Sequence, residues 1–333
     1  MALSTTQHDP AAQDHHIQPA IEVDAEATDN DSTYGNELST YSASLTSSAL
    51  DYRHENGRRY HSYRDGSYLL PNDEEESDRL DILHEMCLTI MGRKLFLAPI
   101  GAPQRVIDLA TGTGIWAIEF GGSFNSTPTF LSLTLMSQPI SSLLQRQVSL
   151  YYIQKKRPGI IAVAQEDILE KKKERPAKIF PSGYCCTKPG GWVEFQDYDG
   201  VPTSEDGTHK GTRIEQYYKE VLGTFEKAGY PTRPGPHLEE WFREAGFVDI
   251  HVHKYQVPMG VWPKNPHYKR IGTWNLLQVD QGFEAGAMAV LTRFGSWTPE
   301  EVTVLAAGAR DDVKSRKIHL LFHFYVVYGR KPE

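Results

Sequence analysis

The chain has 333 residues, a mean hydropathy of −0.48 and a net charge of −8. That length allows one large domain or two small ones, and no apolar run approaches the length of a membrane span. Eight acids and no Lys or Arg fall within residues 1–50, leaving 35 acids and 35 bases over 51–333, so the body offers no basic footprint for nucleic acid.

Residues 1–50 are rich in Ser, Thr, Ala and Asp, which predicts a disordered acidic tail. His8, His15 and His16 lie in it and read as solvated. Over 52–71, Tyr52, Tyr60, Tyr63 and Tyr68 interleave with Arg53, Arg58, Arg59 and Arg64. This pattern predicts a cap packed on the main domain, its tyrosines half-buried and their hydroxyls wet. Pro71-Asn72 breaks the chain. A helix follows, with Asp73 to Glu76 at its electropositive start, Leu80, Leu83, Cys87, Ile90 and Met91 at helical spacing, and Arg93 and Lys94 near its end. Cys87, Cys185 and Cys186 make no disulfide framework. The chain opens on no apolar signal core, and both features predict an intracellular protein, cytoplasmic or nuclear.

Val106 to Leu109 reads as a strand carrying Asp108. A tight turn with Gly112 and Gly114 follows, then a helix over about Thr113–Phe120. Glycines let backbone press against a ligand where a Cβ would collide. The helix start beyond them offers free N–H groups to a carboxylate or phosphate. An acid followed by Gly-x-Gly suits S-adenosylmethionine. Gly112-x-Gly114-x-x-Ala117 also satisfies the dinucleotide fingerprint, so the turn alone leaves both ligands open.

Lys188-Pro-Gly-Gly191 makes a turn before a strand over Trp192–Gln196. Ile214, Tyr217, Tyr218, Val221, Leu222 and Phe225 share one helical face that stops at Gly229. Residues 237–245 read as a short helix closed by Gly246, and Phe247–Val257 as a strand. Thr298-Pro299-Glu300-Glu301 is a helix start. Ile318–Tyr328 is a long apolar strand. Strands alternating with helices predict an α/β sandwich with a mostly parallel sheet.

At this point the sequence resembles the fungal class I S-adenosylmethionine-dependent methyltransferases of the type named after the secondary-metabolism regulator LaeA. The resemblance rests on Arg59-Tyr-His-Ser-Tyr-Arg64, Tyr68-Leu-Leu-Pro-Asn-Asp73, Asp78-Arg-Leu-Asp81 with His84, Val106 to Glu119, Lys188-Pro-Gly-Gly-Trp-Val-Glu194 and Glu244-Ala-Gly-Phe247. These pieces cover roughly 52–120 and 184–333. The resemblance implies a Rossmann-like sandwich with strand order 3-2-1-4-5-7-6 and an antiparallel last strand. It implies one methyltransferase domain over 51–333: a cap and helix over 51–100, a cofactor-binding half over 101–200, and substrate-side helices and C-terminal strands over 201–333. S-adenosylmethionine is the implied cofactor, held by Asp108, Ala110, Thr111, Gly112, Thr113 and Gly114. The implied partners are a small secondary metabolite or a protein as methyl acceptor, with regulatory protein partners allowed and no nucleic acid or membrane.

The chain departs from that pattern in one region. Residues 121–165 contain no Asp or Glu, where about six would fall by proportion. The family ends its second strand there on an acid that holds both ribose hydroxyls. A Ser or Gln cannot accept from two hydroxyls as a carboxylate does. Only Ala177–Phe180 is left for a fourth strand, so normal second and fourth strands are expected to be missing. Restoring an acid alone is therefore expected not to restore activity. Two readings of 121–183 stay open: rapid divergence, or a translated intron or frame-shifted stretch.

Other candidates have plainer readings beside them. Asp108 can hold an ammonium group or cap the glycine turn. Thr111 and Thr113 can bind a carboxylate or cap the next helix. Asp167 ends an apolar run and can replace the missing adenosine-side acid, or be a solvated strand-end charge. Asp197 and Asp199 sit past a strand end and read as turn residues with a substrate-side alternative. Tyr63 and Tyr68 can face a sulfonium. His251 and His253 share a strand face but lack a third ligand, and no metal is expected. No catalytic base is nominated. Three functions follow: a methyltransferase, an inactive regulatory relative, and an NAD(P) oxidoreductase.

Overall fold

Short local signals set the first elements. In a computed structural model, which describes residues 21–22, 52–60, 69–101, 103, 105–109, 112–124, 129–133, 161–165, 184 and 187–333, Asn56 and Gly57 both adopt positive φ. They fold β1 (Arg53–Glu55) onto β2 (Arg58–Tyr60) as an antiparallel hairpin. The carboxylate of Asp73 accepts from Glu76 N at 3.1 Å and starts α1 (Glu74–Ile90). Arg58 makes a two-point pair with the same Asp73, at 2.7 Å for each bond, tying hairpin to helix. Tyr60 is fully buried, not half-buried, and burial pushes its hydroxyl up to about 12.

The main sheet is built from β3 (Arg105–Leu109), β4 (Thr129–Leu133), β5 (Ile161–Gln165), β6 (Trp192–Thr203), β7 (Val248–Met259) and β8 (Leu320–Arg330). Among the described residues its order is β4-β3-β5-β6-β8-β7. β8 runs antiparallel to both neighbours, and the pairs from β4 through β6 are parallel. This is the doubly wound order expected from the sequence, without an outer third strand among the described residues.

Two sequence expectations are corrected here. The second and fourth positions are both filled, β4 on one side of β3 and β5 on the other. Ile161–Gln165 takes the fourth position, not Ala177–Phe180, which lie outside the described residues. A five-residue apolar run satisfies the central ladder as well as a longer one, because both its backbone edges are paired. β6 also runs on to Thr203, so Asp197 and Asp199 are strand residues and not turn residues.

Helices cover both faces. These are α2 (Ile115–Gly122), α3 (Arg213–Ala228), α4 (Leu238–Glu244), α5 (Pro266–Phe294) and α6 (Pro299–Lys314). Thr298 and Glu301 form a reciprocal capping box at α6, with Pro299 in the first turn. α3 stops at Gly229, whose φ of 92° an L side chain rarely adopts. On one face, Phe322, Phe324 and Val326 of β8 join α1, α3, α5 and α6 in the largest core. On the other, Val327 joins Val193 and Phe195 of β6 against Leu238 and Phe242 of α4.

α5 is the longest helix and has no counterpart in the sequence reading. Asn265 caps it and Pro266 opens it. Ile21 is buried against Trp262 and Leu321, and the Glu22 carbonyl accepts from Lys264 N at 2.8 Å. No helix among the described residues is long and apolar enough to cross a membrane.

Candidate functional site

β3 delivers Asp108 to the middle of the sheet, where it is 1% exposed, between Ser132 of β4 and Val163 of β5 in register. The chain then turns through Gly112 (φ 53°) and Gly114 (φ 83°), both in the left-handed region that favours glycine. Gly114 is the N-cap of α2 and makes no side-chain cap bond. The free N–H groups of the first turn of α2 therefore lie at the mouth of the glycine turn.

α1 closes this turn from above. A Cβ on Gly112 would meet Leu80 Cδ1 at 3.5 Å, an ordinary contact, so α1 packs over the turn without crowding it. Thr113 Oγ1 donates to Asp81 Oδ1 at 2.6 Å. Burial raises the Asp81 carboxyl above its ordinary value, against the hydrogen bond from Thr113. One turn on, the buried His84 places Nε2 3.1 Å from Glu119 Oε2 of α2. Asp81, His84, Thr113 and Glu119 all belong to the motifs that carry the family resemblance, and the structure joins them in two pairs between α1 and the turn with its helix. Thr113 thus holds the lid helix and does not cap α2 with its side chain.

Of the other predicted cofactor residues, Ala110, Thr111 and Asp167 lie outside the described residues, as do Tyr63, Tyr68, Cys185 and Cys186. Asp199 is buried and makes a two-point pair with Arg233, at 2.8 and 2.7 Å. The Asp197 carboxylate accepts from Tyr198 N at 2.7 Å. His251 and His253 stack on Tyr328, and no metal-holding group of three ligands occurs among the described residues.

The buried Glu194 was not singled out by sequence. Its Oε2 accepts from Leu97 N at 2.8 Å and Ala98 N at 2.7 Å, and its Oε1 from Gln196 Nε2 at 2.8 Å. Burial pushes its carboxyl up to about 7, against those three hydrogen bonds. It fixes the segment leading into β3, whose Leu95 carbonyl accepts from Trp116 Nε1 of α2 at 2.9 Å.

A cavity of about 290 Å³ is walled by α1, α3, α5, β6, β7 and β8. α1 serves both places. Leu80, Asp81 and His84 face the turn region, while Glu76, Arg79 and Leu83 line the cavity. No single stretch of sequence signals this cavity, because its walls come from six elements.

Comparison with known proteins gives the following. A family model described as "Methyltransferase domain" matches residues 82–252. The methyltransferase pytC of Aspergillus terreus is 32% identical over 320 residues, covering 94% of this chain and 95% of that protein. The secondary metabolism regulator LAE1 of Cochliobolus heterostrophus is 30% identical, covering 84% of this chain and 94% of that protein. Among solved structures, a Haemonchus contortus phosphoethanolamine N-methyltransferase 2 complex aligns at 18% identity and a TM-score of 0.42, over 80% of this chain and 55% of that one.

Proposed function

Because the chain belongs to the methyltransferase-domain family that these matches define, we propose that the glycine turn holds the methionine half of S-adenosylmethionine, making the chain an S-adenosylmethionine-dependent methyltransferase. The observation that carries this is the turn itself: Gly112 and Gly114 at positive φ, between the buried Asp108 and the open start of α2. Of the two ligands that the sequence left open at Gly112-x-Gly114-x-x-Ala117, the family membership supports S-adenosylmethionine.

When bound, S-adenosylmethionine supplies a methyl group on a sulfonium, which an acceptor atom attacks in line. The chain's own contribution is position and dryness. Asp108 offers its carboxylate to the ammonium group of the methionine moiety. The first N–H groups of α2 suit the methionine carboxylate. Asp81 and Thr113 hold α1 over the turn and keep water from it. The adenosine side is weaker. β4 occupies the second-strand position, yet residues 121–165 supply no acid for the ribose hydroxyls.

A regulatory role is the second reading, favoured by the relative named as a secondary metabolism regulator. Calorimetry with S-adenosylmethionine, S-adenosylhomocysteine and NAD tests the first. Binding of the two sulfur ligands and not of NAD is expected. Binding of NAD in preference to both would overturn the assignment of the turn.

A further inference from the structure

The cavity that shares α1 with the glycine turn has a composition that selects for ligand charge. Tyr217, Tyr218 and Phe225 of α3, Phe283 of α5, Met259 and Phe322 give it apolar walls with several aromatic rings. Its volume, about 290 Å³, sits at the small end of ligand pockets. On one wall Arg79 faces in, but its charge is spent. Nε and a terminal nitrogen donate to both oxygens of Glu76 at 2.9 and 2.8 Å, and the other terminal nitrogen to Gln278 Oε1 at 2.9 Å. Glu76 is 2% exposed, so the pair is a desolvated, mutually neutral unit. The other carboxylate at the cavity, Asp197, alternates with Tyr198 along β6. Phe195, on its own side, packs in the opposite core.

A cationic ligand therefore finds no carboxylate of its own, and at Glu76 it meets the Arg79 guanidinium. An anionic one meets Glu76 and the uncharged amides of Asn275 and Gln278. Hydrogen bonds to a neutral ligand are available. Tyr217 spends its proton on the Phe283 carbonyl at 2.6 Å, whereas the Tyr218 hydroxyl makes no hydrogen bond among the described residues. Gly282 and Gly286 of α5 keep the floor open. A Cβ on Gly286 would meet Tyr217 Oη at 3.5 Å, and one on Gly282 would meet Arg79 Cδ at 3.1 Å.

We infer that this cavity receives the methyl acceptor, and that the acceptor is an uncharged, ring-containing small molecule and not a lysine or arginine side chain of a protein. The inference rests on the donor reading of the glycine turn. It is tested on the full chain with three probes of one shape: 2-naphthol, 2-naphthoate and 2-naphthylmethylammonium, titrated calorimetrically at neutral pH. Binding of 2-naphthol at least about tenfold tighter than either charged probe is expected. Gly286→Leu should weaken 2-naphthol by about tenfold or more while leaving S-adenosylmethionine binding unchanged. Leu222→Trp, from the opposite wall, should do the same and serves if the first variant does not fold.

Tightest binding by the ammonium probe would overturn the inference and hand the cavity to a basic side chain. Absent 2-naphthol binding, or equal binding in both variants, would also overturn it. S-adenosylmethionine titrated on the same samples separates the two readings. Loss of donor binding with 2-naphthol retained would refute the donor site and leave the cavity's preference standing.

Discussion

Thr113 Oγ1 donates to Asp81 Oδ1 at 2.6 Å, joining a glycine turn to a helix 32 residues earlier. The bond ties α1 to the proposed donor turn, and the same helix carries Glu76 and Arg79 to the cavity wall. The proposed donor and acceptor regions therefore share α1.

Removing the acceptor of that bond should loosen both regions. Asp81→Ala is expected to lower stability by about 0.5–1.5 kcal/mol and to weaken S-adenosylmethionine. Asp81→Asn keeps an oxygen for Thr113 and should retain most of the affinity. Equal affinities in both variants and the parent would show that the turn holds its shape without α1.

Gly112 sits at φ 53°, and a Cβ there would meet Leu80 Cδ1 at an ordinary 3.5 Å, so the obstacle to a side chain is conformational and not a clash. Gly112→Val should cost about 1–3 kcal/mol of backbone strain and abolish donor binding, since the branched side chain fills the cradle. Unchanged affinity in a folded variant would mean that the ligand lies elsewhere.

The stability of the chain should carry a pH signature from Glu194. Burial pushes this carboxyl up to about 7 from the ordinary 4.5. The folded chain then holds a proton that the unfolded chain releases, so the contribution is full below 4.5 and is lost as pH rises through 7. Denaturation midpoints measured from pH 4 to 8 should show that decline. In Glu194→Gln it should flatten. Superimposable profiles would place the titration in another group.

How much of this was legible in the sequence differs from element to element. Asp73, Thr298 and Gly229 announced α1, α6 and the end of α3, because caps act through neighbours in sequence. The Asp108–Gly114 turn was legible for the same reason. α5 was not, although Asn265-Pro266 marks its start. It is buried on several sides, and Gly272, Gly282 and Gly286 interrupt any clean apolar stripe. Asp199 in a strand read as a turn residue because its partner, Arg233, is 34 positions away. The cavity was invisible for that reason too.

The sequence predicts a disordered acidic tail over residues 1–50 with little to bury, yet Ile21 is 7% exposed against Trp262 and Leu321. Burying an isoleucine contributes about 1.5–3 kcal/mol. Deleting residues 1–50 should therefore lower the melting temperature by a few degrees, at about 2–4 °C per kcal/mol. Ile21→Ala should reproduce most of that loss, and deleting residues 1–15 should not. A deletion of 1–50 that melts with the parent would show that the contact contributes nothing.

The central claim is that this chain keeps the methionine half of a methyl-donor site and lacks the acid of its adenosine half. The sequence alone implied that restoring an acid would not suffice, because the fourth strand was thought missing; β5 now fills that place. The direct measurement is calorimetric titration of S-adenosylmethionine into the unmodified chain and into Ser132→Asp and Leu133→Asp, the last two positions of β4. Successive positions of a strand face opposite sides, so one of the two acids should reach the ribose. The account predicts weak binding to the unmodified chain and about ten- to a hundredfold tighter binding in one variant. A micromolar dissociation constant in the unmodified chain, with no gain in either variant, would contradict it and move the ribose contact to Asp167 or another group.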